Sequence, residues 1–422
     1  MSILIQNGQI VLADKIVKSD ILIEGNRIKK IGLLSGVKAD KVIDAAGKTV
    51  MAGFVDMHCH LREPGYEYKE DILSGAKSAA AGGFTSICCM PNTNPPLDTP
   101  AFIKEVCSRA AAVSPVKIYP VGAITKGLKS VQLTDMGKLK EAGAIALSDD
   151  GRPVESALMM RNALAEAAKH DLLVISHTED VLLSADGVVN DGGNAAKAGL
   201  KGIPRDAEEV MAARDIILAE NLGTRVHIAH VSTAGSVQLV REAKARGVKV
   251  TAEVCPHHFS ATDKEVLTRD TSAKINPPLR EDSDVAAIIE GLKDGTIDCI
   301  ATDHAPHSAD EKQQDITKAP FGTIGFESAF AVSYTYLVES GALDLIALSW
   351  LLSRNPARIL GLGSGVIAEG EVADLAIVDL NESYIIDAGT FKSKARNCLF
   401  DGWRVKGRVL GTIADGEIIE MN

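Results

Sequence analysis

The chain has 422 residues, a formal net charge of −11 and a sequence pI near 5.5. Nucleic acids and anionic membranes attract clustered positive charge, so an acidic chain without a lysine or arginine run is expected to bind neither. At ~150 residues per domain the length predicts nearly three domains, although α/β barrels often exceed ~200 residues as one unit.

The N-terminus and the cysteines indicate a compartment. MSILIQNGQI lacks a basic segment followed by a long apolar stretch, and no later run of ~18 apolar residues predicts a membrane span. The seven cysteines are an odd number, include the pair Cys88 and Cys89, and form no CxxC motif, so neither a disulfide framework nor a thiolate zinc site is indicated. We therefore expect a soluble cytoplasmic protein that acts on a small molecule.

Short alternating apolar runs fill the first fifty residues. They are ILIQ, QIVLA, DILIEG and KVID, separated by NG, EGN and AAGK turns. The far end of the chain repeats this pattern in VADLAIVDL and GWRVKGRVLGTIADGEIIEM. We predict that residues 1–50 and 363–422 together build one small β-sandwich domain.

Residues 51–362 alternate apolar runs with longer amphipathic segments. The eight runs are GFVDMHCHL, TSICCMPNT, VKIYPVGAIT, AIALSDDG, DLLVISHTED, RVHIAHVST, VKVTAEVCPHH and IDCIATDHAP, and the predicted helices between them include KEDILSGAKSAAAGG, ESALMMRNALAEAAKH and AEEVMAARDIILAENLG. This alternation is typical of βα units around a parallel sheet. Eight units predict an α/β fold of the (β/α)₈ TIM-barrel type, with the active site at the C-terminal ends of the strands.

Five of the eight runs end in residues that bind metal ions. These residues are His58 and His60 after strand one, Asp149 and Asp150 after strand four, His177 after strand five, His230 after strand six and Asp303 after strand eight. Because residues i and i+2 of a strand share a face, His58 and His60 both point into the barrel mouth and Cys59 points towards the helices. Imidazole with carboxylate is a ligand set suited to zinc. A lone HxH is more often two half-exposed histidines, but four further strand ends favour a metal site.

Strand parity sorts the other histidines only in part. His227 and His230 are three residues apart and cannot both face inward on a regular strand, so we select His230, nearer the C-terminal end. We interpret His227, His170 and His257 as structural or surface residues. His258, at the tip of strand seven, stays undecided.

Parity also leaves one choice open at strand four, because it does not separate Asp149 from Asp150. At strand eight, His304 is expected to face away from Asp303. His307 lies beyond that strand, on a loop that can fold over the mouth.

Several separate motifs resemble one family. HCHLREPG, CCMPNTNPP, SDDGRPV, INPPLR, TDHAPH and KAPFGTIGFE are similar to the dihydroorotases of the bacterial class I type. The dihydroorotases belong to the amidohydrolase superfamily. The HxH motif, two further histidines and strand-eight aspartate of that superfamily match this chain in order and spacing. The resemblance spans nearly the whole chain.

The resemblance implies a set of zinc ligands. One metal would be held by His58, His60 and Asp303, a second by His177 and His230, and Asp150 would bridge them. Many superfamily members place a carboxylated lysine where this chain has SDDG. An aspartate is shorter and needs no carbon dioxide to become an anion, so the number of zinc ions, one or two per subunit, stays open.

The resemblance also implies the reaction. Dihydroorotases reversibly cyclise N-carbamoyl-L-aspartate to L-dihydroorotate, the third step of de novo pyrimidine (UMP) biosynthesis. A metal-bound hydroxide would be the nucleophile. Asp303 would be the catalytic residue, a general base that then becomes a general acid.

The substrate carries a carboxylate that needs a positive partner. Arg62 lies two residues beyond His60, hence on the same side if the strand geometry persists, and a guanidinium can hold a carboxylate through paired hydrogen bonds. Taken alone, Arg62 could equally be a surface ion-pair partner. The resemblance adds further substrate contacts at His60, Asn92, Asn276, His307 and the backbone of Phe321 and Gly322. Without the family, each asparagine is more typical of a turn residue beside proline.

The stretch SADEKQQDITKAP, between His307 and Phe321, is polar and has few apolar anchors. It predicts a mobile loop at the strand-eight tip that closes over substrate, against the alternative of an ordinary solvated loop.

Two other functions compete with this interpretation. One is another cyclic-amide hydrolase, an allantoinase or a dihydropyrimidinase (hydantoinase), on the same barrel. The other is a non-catalytic barrel that serves as the structural partner of aspartate transcarbamoylase. For an active enzyme the resemblance implies a homodimer, and it leaves open an association with aspartate transcarbamoylase.

Overall fold

A computed structural model describes residues 1–268, 270–363 and 365–421. Strands of the first fifty-two residues form one side of a mostly antiparallel sheet: β1 (Ser2–Val11), β2 (Ile16–Glu24), β3 (Arg27–Gly32), β4 (Lys41–Asp44) and β5 (Thr49–Ala52). The predicted runs ILIQ and QIVLA are a single strand, so the prediction of a turn at NG was wrong. Asn7, with φ of 65°, and Gly8 form a bulge at which the register with β2 shifts.

Residues 54 to 300 supply a parallel barrel of eight strands. Its strands, with a two-stranded insertion (β11 and β12), are β6 (Phe54–Cys59), β7 (Phe84–Cys89), β8 (Lys117–Ala123), β9 (Ala146–Ser148), β10 (Leu173–Ser176), β11 (Val189–Asn190), β12 (Gly202–Ile203), β13 (Val226–Ile228), β14 (Val250–Val254) and β15 (Cys299–Ile300). All eight predicted barrel strands are confirmed. Hydrogen bonds from His60 N to His304 O and from Asp303 N to His58 O bring the first and last strands together.

Helices follow the barrel strands, and the longer ones pack around the outside of the barrel. They are α1 (Ile72–Ala81), α2 (Pro100–Val113), α3 (Met136–Ala142), α4 (Ala157–Lys169), α5 (Val181–Ser184), α6 (Gly193–Ala198), α7 (Asp206–Leu222), α8 (Ala234–Ala245), α9 (Pro256–Ser260), α10 (Asp282–Lys293), α11 (Ala309–Lys312), α12 (Phe326–Ser333), α13 (Leu345–Ser349) and α14 (Asn355–Leu360). The three helices predicted by sequence correspond to α1, α4 and α7. Each of these helices has a capping residue at one end. The N-cap of α1, for example, is Asp71, whose side chain accepts a hydrogen bond from Ser74 N.

The C-terminal strands return to the N-terminal sheet. They are β16 (Leu375–Ile385), β17 (Arg404–Ala414) and β18 (Glu417–Met421), and the strand order is β18-β17-β16-β5-β1-β2-β3 with β4 beside β1. Residues from both ends, including Ile3, Ile21 and Ile413, share one buried core. The prediction that both chain ends build one small β domain on a TIM-type barrel is therefore confirmed. Its boundaries at 50 and 363 stay a prediction, and Ser364 and Asn422 lie outside the described residues.

Two expectations from composition can be compared with the described part of the chain. The seven cysteines are all free. No helix among the described residues is long and apolar enough to cross a bilayer.

Candidate metal centre and substrate cavity

The two histidines of the HxH pair lie at the end of strand β6, where the alternation of inward-facing and outward-facing side chains is interrupted. Val55 and Met57 belong to the apolar core inside the barrel, whereas Cys59 belongs to the core between barrel and helices. A register shift between Asp56 and Cys59 in the pairing with β7 accounts for the switch. His58 and the residue two further on, His60, are thereby both directed into the mouth.

The six predicted ligands come from five strand ends, and the four histidines among them converge on the two aspartates. Asp150 Oδ1 lies 3.1 Å from His58 Nε2, 3.4 Å from His177 Nδ1 and 3.6 Å from His230 Nε2. Asp303 Oδ1 lies 3.0 Å from His60 Nε2 and 3.7 Å from His58 Nε2. The same donor atoms form two overlapping clusters of metal-ligand size, His58–His60–Asp303 and His58–Asp150–His230.

Three of these histidines are fixed from behind by a hydrogen-bond acceptor. His58 Nδ1 donates to Glu253 at 2.7 Å, His60 Nδ1 donates to Asn92 Oδ1 at 2.9 Å, and His177 Nε2 donates to Glu179 at 3.0 Å. A proton on the rear nitrogen leaves a lone pair on the forward nitrogen, which is the arrangement of metal-binding histidines. His58 Nε2 and Asp150 Oδ1 are buried without a hydrogen-bond partner in the described structure. The donor set therefore fits a cation.

The ionisation of the two aspartates also favours a metal site. Burial alone would raise the pKa of Asp150, but the neighbouring imidazoles of His58, His177 and His230 hold it well below its usual range. Burial likewise opposes ionisation of Asp303, yet the hydrogen bond with His60 and the nearby histidines lower its pKa to about 2. Ionised carboxylates surrounded by imidazole lone pairs attract positive charge, as a metal site requires.

Three residues of the site have unusual backbone conformations. Arg62, His230 and Asp303 have φ of 61°, 33° and 45°, a region that side chains other than glycine rarely adopt. Such residues are common where a side chain must be aimed at a functional site. At His230 this conformation turns the side chain towards the barrel interior, where a regular strand that also directs His227 inward would not place it.

His227 and His230 both face the barrel interior, contrary to the expectation for a regular strand. His227 lies one layer deeper, with Nε2 3.1 Å from Glu253 and Nδ1 2.7 Å from Thr251 Oγ1. It does not line the cavity, and its interpretation as a structural residue agrees with these contacts.

The choice left open at strand four is decided by contacts. Asp149 turns away from the cluster and accepts hydrogen bonds from the backbone N–H groups of Ile124 and Thr125, whereas Asp150 faces the histidines. His304 faces away from Asp303, as expected, and its ring stacks on Phe326.

The histidines interpreted as structural or left undecided lie outside the cluster. His258 donates a hydrogen bond to Pro277 O, and its ring packs against that of His257, which is also buried. His170 is partly exposed beside Glu166.

One cavity of about 220 Å³ opens at this end of the barrel. Every predicted site residue except His58 lines it, together with Gly151 and Ala305: His60, Arg62, Asn92, Asp150, His177, His230, Asn276, Asp303, His307, Phe321 and Gly322. His58 is fully buried behind His60. The fold therefore brings the predicted metal ligands and substrate contacts into one space.

Arg62 and His307 meet at one wall of the cavity. Arg62 Nε donates to Pro306 O at 3.1 Å, and its terminal nitrogen lies 3.3 Å from His307 Nε2. His307 Nε2 donates to Phe321 O at 2.8 Å. Burial and the charges of Arg62 and Lys69 push the pKa of His307 far below its usual value, so the ring is neutral and Arg62 carries the positive charge of this wall.

Two acidic residues of the site were missed from the sequence. Glu253 lies inside strand β14, fully buried, between His58 and His227, and Glu179 joins His177 to the Asn276 amide at 2.9 Å. The signal for Glu253 was a lone glutamate within the apolar run VTAEVC. Charged residues are almost never fully buried unless they are paired, so that position required a partner.

The polar segment between His307 and Phe321 is more anchored than its composition predicts. It begins with α11, which is capped by Ser308 and Glu311. Ile316 is buried in a small apolar cluster with Val189 and Val266. Its mobility stays a prediction.

The chain resembles known proteins along its whole length. A family model described as Dihydro-orotase-like matches residues 47–236. The protein named Dihydroorotase from Caldicellulosiruptor saccharolyticus is 52% identical over 422 residues, which are 99% of this chain and 98% of that protein. The Dihydroorotase from Caldanaerobacter subterraneus subsp. tengcongensis is 53% identical over 401 residues, 95% of this chain and 93% of that protein.

Solved structures share the fold at lower identity. The L-hydantoinase (dihydropyrimidinase) from Arthrobacter aurescens superposes with a TM-score of 0.90 at 26% identity, covering 99% of this chain and 96% of that one. The D-hydantoinase from Thermus sp. gives a TM-score of 0.83, also at 26% identity, covering 99% and 95%. Sequence identity about twice as high, over nearly the full length, separates the dihydroorotases from these neighbours, and the chain belongs to the dihydroorotase family.

Proposed function

We propose that this chain is a zinc-dependent dihydroorotase, which interconverts N-carbamoyl-L-aspartate and L-dihydroorotate. The observation that carries the proposal is the cavity in which a histidine–aspartate cluster faces Arg62. Nitrogen and carboxylate donors in this combination suit zinc. We propose that His58, His60, Asp150, His177, His230 and Asp303 would hold one or two zinc ions, the first of them through His58, His60 and Asp303. When bound, zinc lowers the pKa of a coordinated water to about 7 and polarises a carbonyl oxygen.

Asp303 is the proposed catalytic residue. Its carboxylate lines the cavity beside His60, within reach of a molecule held there. In hydrolysis it accepts a proton from the attacking water and passes it to the leaving ring nitrogen, and in synthesis the same transfers run backwards.

Arg62 is the proposed partner of the substrate carboxylate. Because Pro306 O already accepts from Nε, the guanidinium is held in place and its remaining N–H groups are available to a ligand. His60, Asn92, Asn276, His307 and the Phe321–Gly322 backbone complete the proposed substrate contacts. Together they orient the ring with its amide towards the metal ligands.

The test is the reaction itself. Purified protein loaded with zinc is assayed for hydrolysis of dihydroorotate by absorbance and for cyclisation of carbamoyl aspartate, and its zinc content is measured. We expect turnover in both directions and loss of turnover when a chelator removes zinc. Zinc-loaded protein that turns over neither compound would refute the proposal.

The likeness to solved hydantoinases supports one second candidate, a hydantoinase or allantoinase activity. The substrates of that candidate differ in charge, since hydantoin lacks the carboxylate that Arg62 would bind. Faster turnover of hydantoin than of dihydroorotate would favour the second candidate. A protein with bound zinc and no activity on any cyclic amide would favour a structural partner of aspartate transcarbamoylase.

We also propose that the enzyme works as a homodimer in the cytoplasm, where its seven free cysteines suit a reducing compartment. Light scattering of the purified protein measures its mass. The same measurement with aspartate transcarbamoylase added tests whether the two enzymes associate.

A further inference from the structure

A buried lysine closes the loop that ends at the substrate cavity. Lys312, the last residue of α11, is 8% exposed, whereas the neighbouring Gln313 and Lys318 are exposed. Its ammonium donates to Pro320 O and to Gly322 O, both at 3.0 Å. The side chain thus joins the start of the loop to its end, next to the residues that line the cavity.

The short segment around the Phe321–Gly322 peptide is held from both sides. On the cavity side, His307 donates to Phe321 O. On the other side, Gly322 O accepts from Lys312 and from Asn397 Nδ2, and Gly322 N donates to Lys274 O. Lys312 thus binds the carbonyl groups on either side of the Phe321–Gly322 peptide, those of Pro320 and Gly322, so a shift of this segment would stretch a hydrogen bond with Lys312.

Gly322 leaves little room for any other position of this peptide. Its φ is +130°, and a Cβ atom there would lie 2.8 Å from Ala305 Cβ and 3.0 Å from Ala305 O. The backbone of Gly322 is therefore packed directly against Ala305, with no space for a side chain between them. A loosened loop end would move Phe321 and Gly322 away from the cavity that they line.

The surroundings of Lys312 disfavour the charged form of its side chain. Both of its hydrogen-bond acceptors are carbonyl oxygens, and burial together with the charge of Lys274 lowers the pKa of Lys312 to about 7, against the attraction of Asp270. The ring of His307, on the other side of the peptide, is neutral. If the side chain served stability alone, an apolar group of the same length would be more favourable, because a buried ammonium that is bonded only to carbonyl oxygens costs folding free energy.

We infer that Lys312 is a positioning residue for the substrate cavity: by fixing the Phe321–Gly322 peptide it sets the affinity for the cyclic-amide substrate. This inference rests on the proposed function. It assigns Lys312 no contact with the metal ligands. Its loss should therefore change substrate binding and leave metal binding unchanged.

The experiment compares K312M with K318M, a matched substitution of an exposed lysine in the same loop. Zinc content, melting temperature, kcat and KM for dihydroorotate, and hydrogen exchange of the amides in 319–323 are measured for both. For K312M we expect KM to rise about 10- to 100-fold, as for loss of a charged hydrogen bond, with kcat within about 3-fold of wild type. Its amides should exchange faster, with zinc content unchanged and a melting temperature within ~3 °C of wild type. K318M should match wild type.

A second variant keeps the hydrogen-bond donors. K312Q carries two amide N–H groups and no charge, so its KM should lie between those of wild type and K312M. A KM for K312M within 2-fold of wild type, or equal losses of kcat and zinc, would overturn the inference. If the wild-type protein does not act on dihydroorotate, the proposed function fails, and the exchange measurement still tests the anchor, since unchanged exchange in K312M rules it out.

Discussion

At the scale of single residues, the site depends on side chains whose other atoms are already engaged. His58, His60 and His177 each donate one ring N–H to an acceptor behind them, so only the second nitrogen remains for a metal. Arg62 is held through Pro306 O in the same way. Substitutions can therefore distinguish two kinds of residue. The first kind contacts the substrate, and the second kind orients another side chain.

Asp303 belongs to the first kind. In D303N the side chain keeps its shape but loses the basic oxygen, so kcat for dihydroorotate should fall at least ~10²- to 10⁴-fold. Steady-state hydrolysis, with zinc content determined on the same sample, checks this. A near-normal kcat would contradict the role given to Asp303.

Arg62 should affect one class of substrate only. R62Q removes the positive charge that faces the ligand, so KM for dihydroorotate should rise about 10- to 100-fold while turnover of uncharged hydantoin or dihydrouracil changes little. The control is R109Q, since Arg109 pairs with Glu63 on the surface. Equal losses on charged and uncharged substrates would show that Arg62 is needed for structure instead.

Glu253 belongs to the second kind. E253Q weakens the acceptor behind His58 and should lower zinc affinity ~10- to 100-fold, with activity largely restored at saturating zinc. Competition with a chromogenic chelator measures the affinity, and E166Q, at a partly exposed position of α4, is the control. Unchanged zinc affinity would mean that Glu253 only fills the barrel core.

At the scale of elements, the loop between α11 and α12 should be sensitive to one glycine. G322A places a methyl group against Ala305 in a backbone conformation that disfavours side chains, so both the melting temperature and the affinity for dihydroorotate should fall. Gly341 has a φ of +79°, and a methyl group added there would meet nothing within 4 Å, so G341A carries the backbone cost alone. If both variants show the same KM as wild type, the position of Gly322 does not matter for binding.

The elements also show what the sequence could and could not predict. Eight barrel strands were recognised because a parallel sheet buried on both faces produces repeated apolar runs. The prediction of a turn at NG was wrong because Asn-Gly is equally suited to a bulge, and only the pairing with β2 distinguishes the two. That pairing is a contact between strands, which no local pattern contains.

The site was predictable where ligands lie at strand ends and less so where parity was needed. His58 and His60 could be paired from their spacing, but His227 faces inward within its strand and the irregular strand end at His230 lets that residue face inward as well. Asp149 and Asp150 differ only in which neighbours their side chains reach, Thr125 or the histidines. Those neighbours come from other strands, so the distinction is tertiary.

At the scale of the whole molecule, barrel and terminal sheet meet around Glu327 of α12. Its Oε1 accepts hydrogen bonds from Ser78 Oγ in α1 and from the backbone N–H groups of residues 392 and 393. Beside it is a cavity of about 410 Å³, which is also lined by Tyr384, Asp387, Lys392 and Arg408. Burial raises the pKa of Glu327 to about 7, against these hydrogen bonds and the charge of Lys392.

This junction predicts a pH-dependent stability. Between pH 4.5 and about 7 the folded state holds a proton on Glu327 that the unfolded state has released, so the free energy of unfolding decreases as the pH rises through this range. E327Q keeps an oxygen acceptor and removes the titration. Its melting temperature relative to wild type should therefore be higher at pH 8 than at pH 5, and E339Q, at an exposed position beyond the end of α12, provides the comparison. The same difference at both pH values would contradict the buried ionisation.

The placement of β16 between β17 and β5 has a consequence for synthesis on the ribosome. Strand β5 emerges before any barrel strand, yet its partner β16 is translated only after all eight of them. A nascent chain that has reached residue 362 already contains every proposed zinc ligand, while the edge of β5 is still unpaired. Pairing of β16 with β5 can therefore begin only after β16 has left the ribosome, which makes closure of the terminal sheet a late stage of assembly.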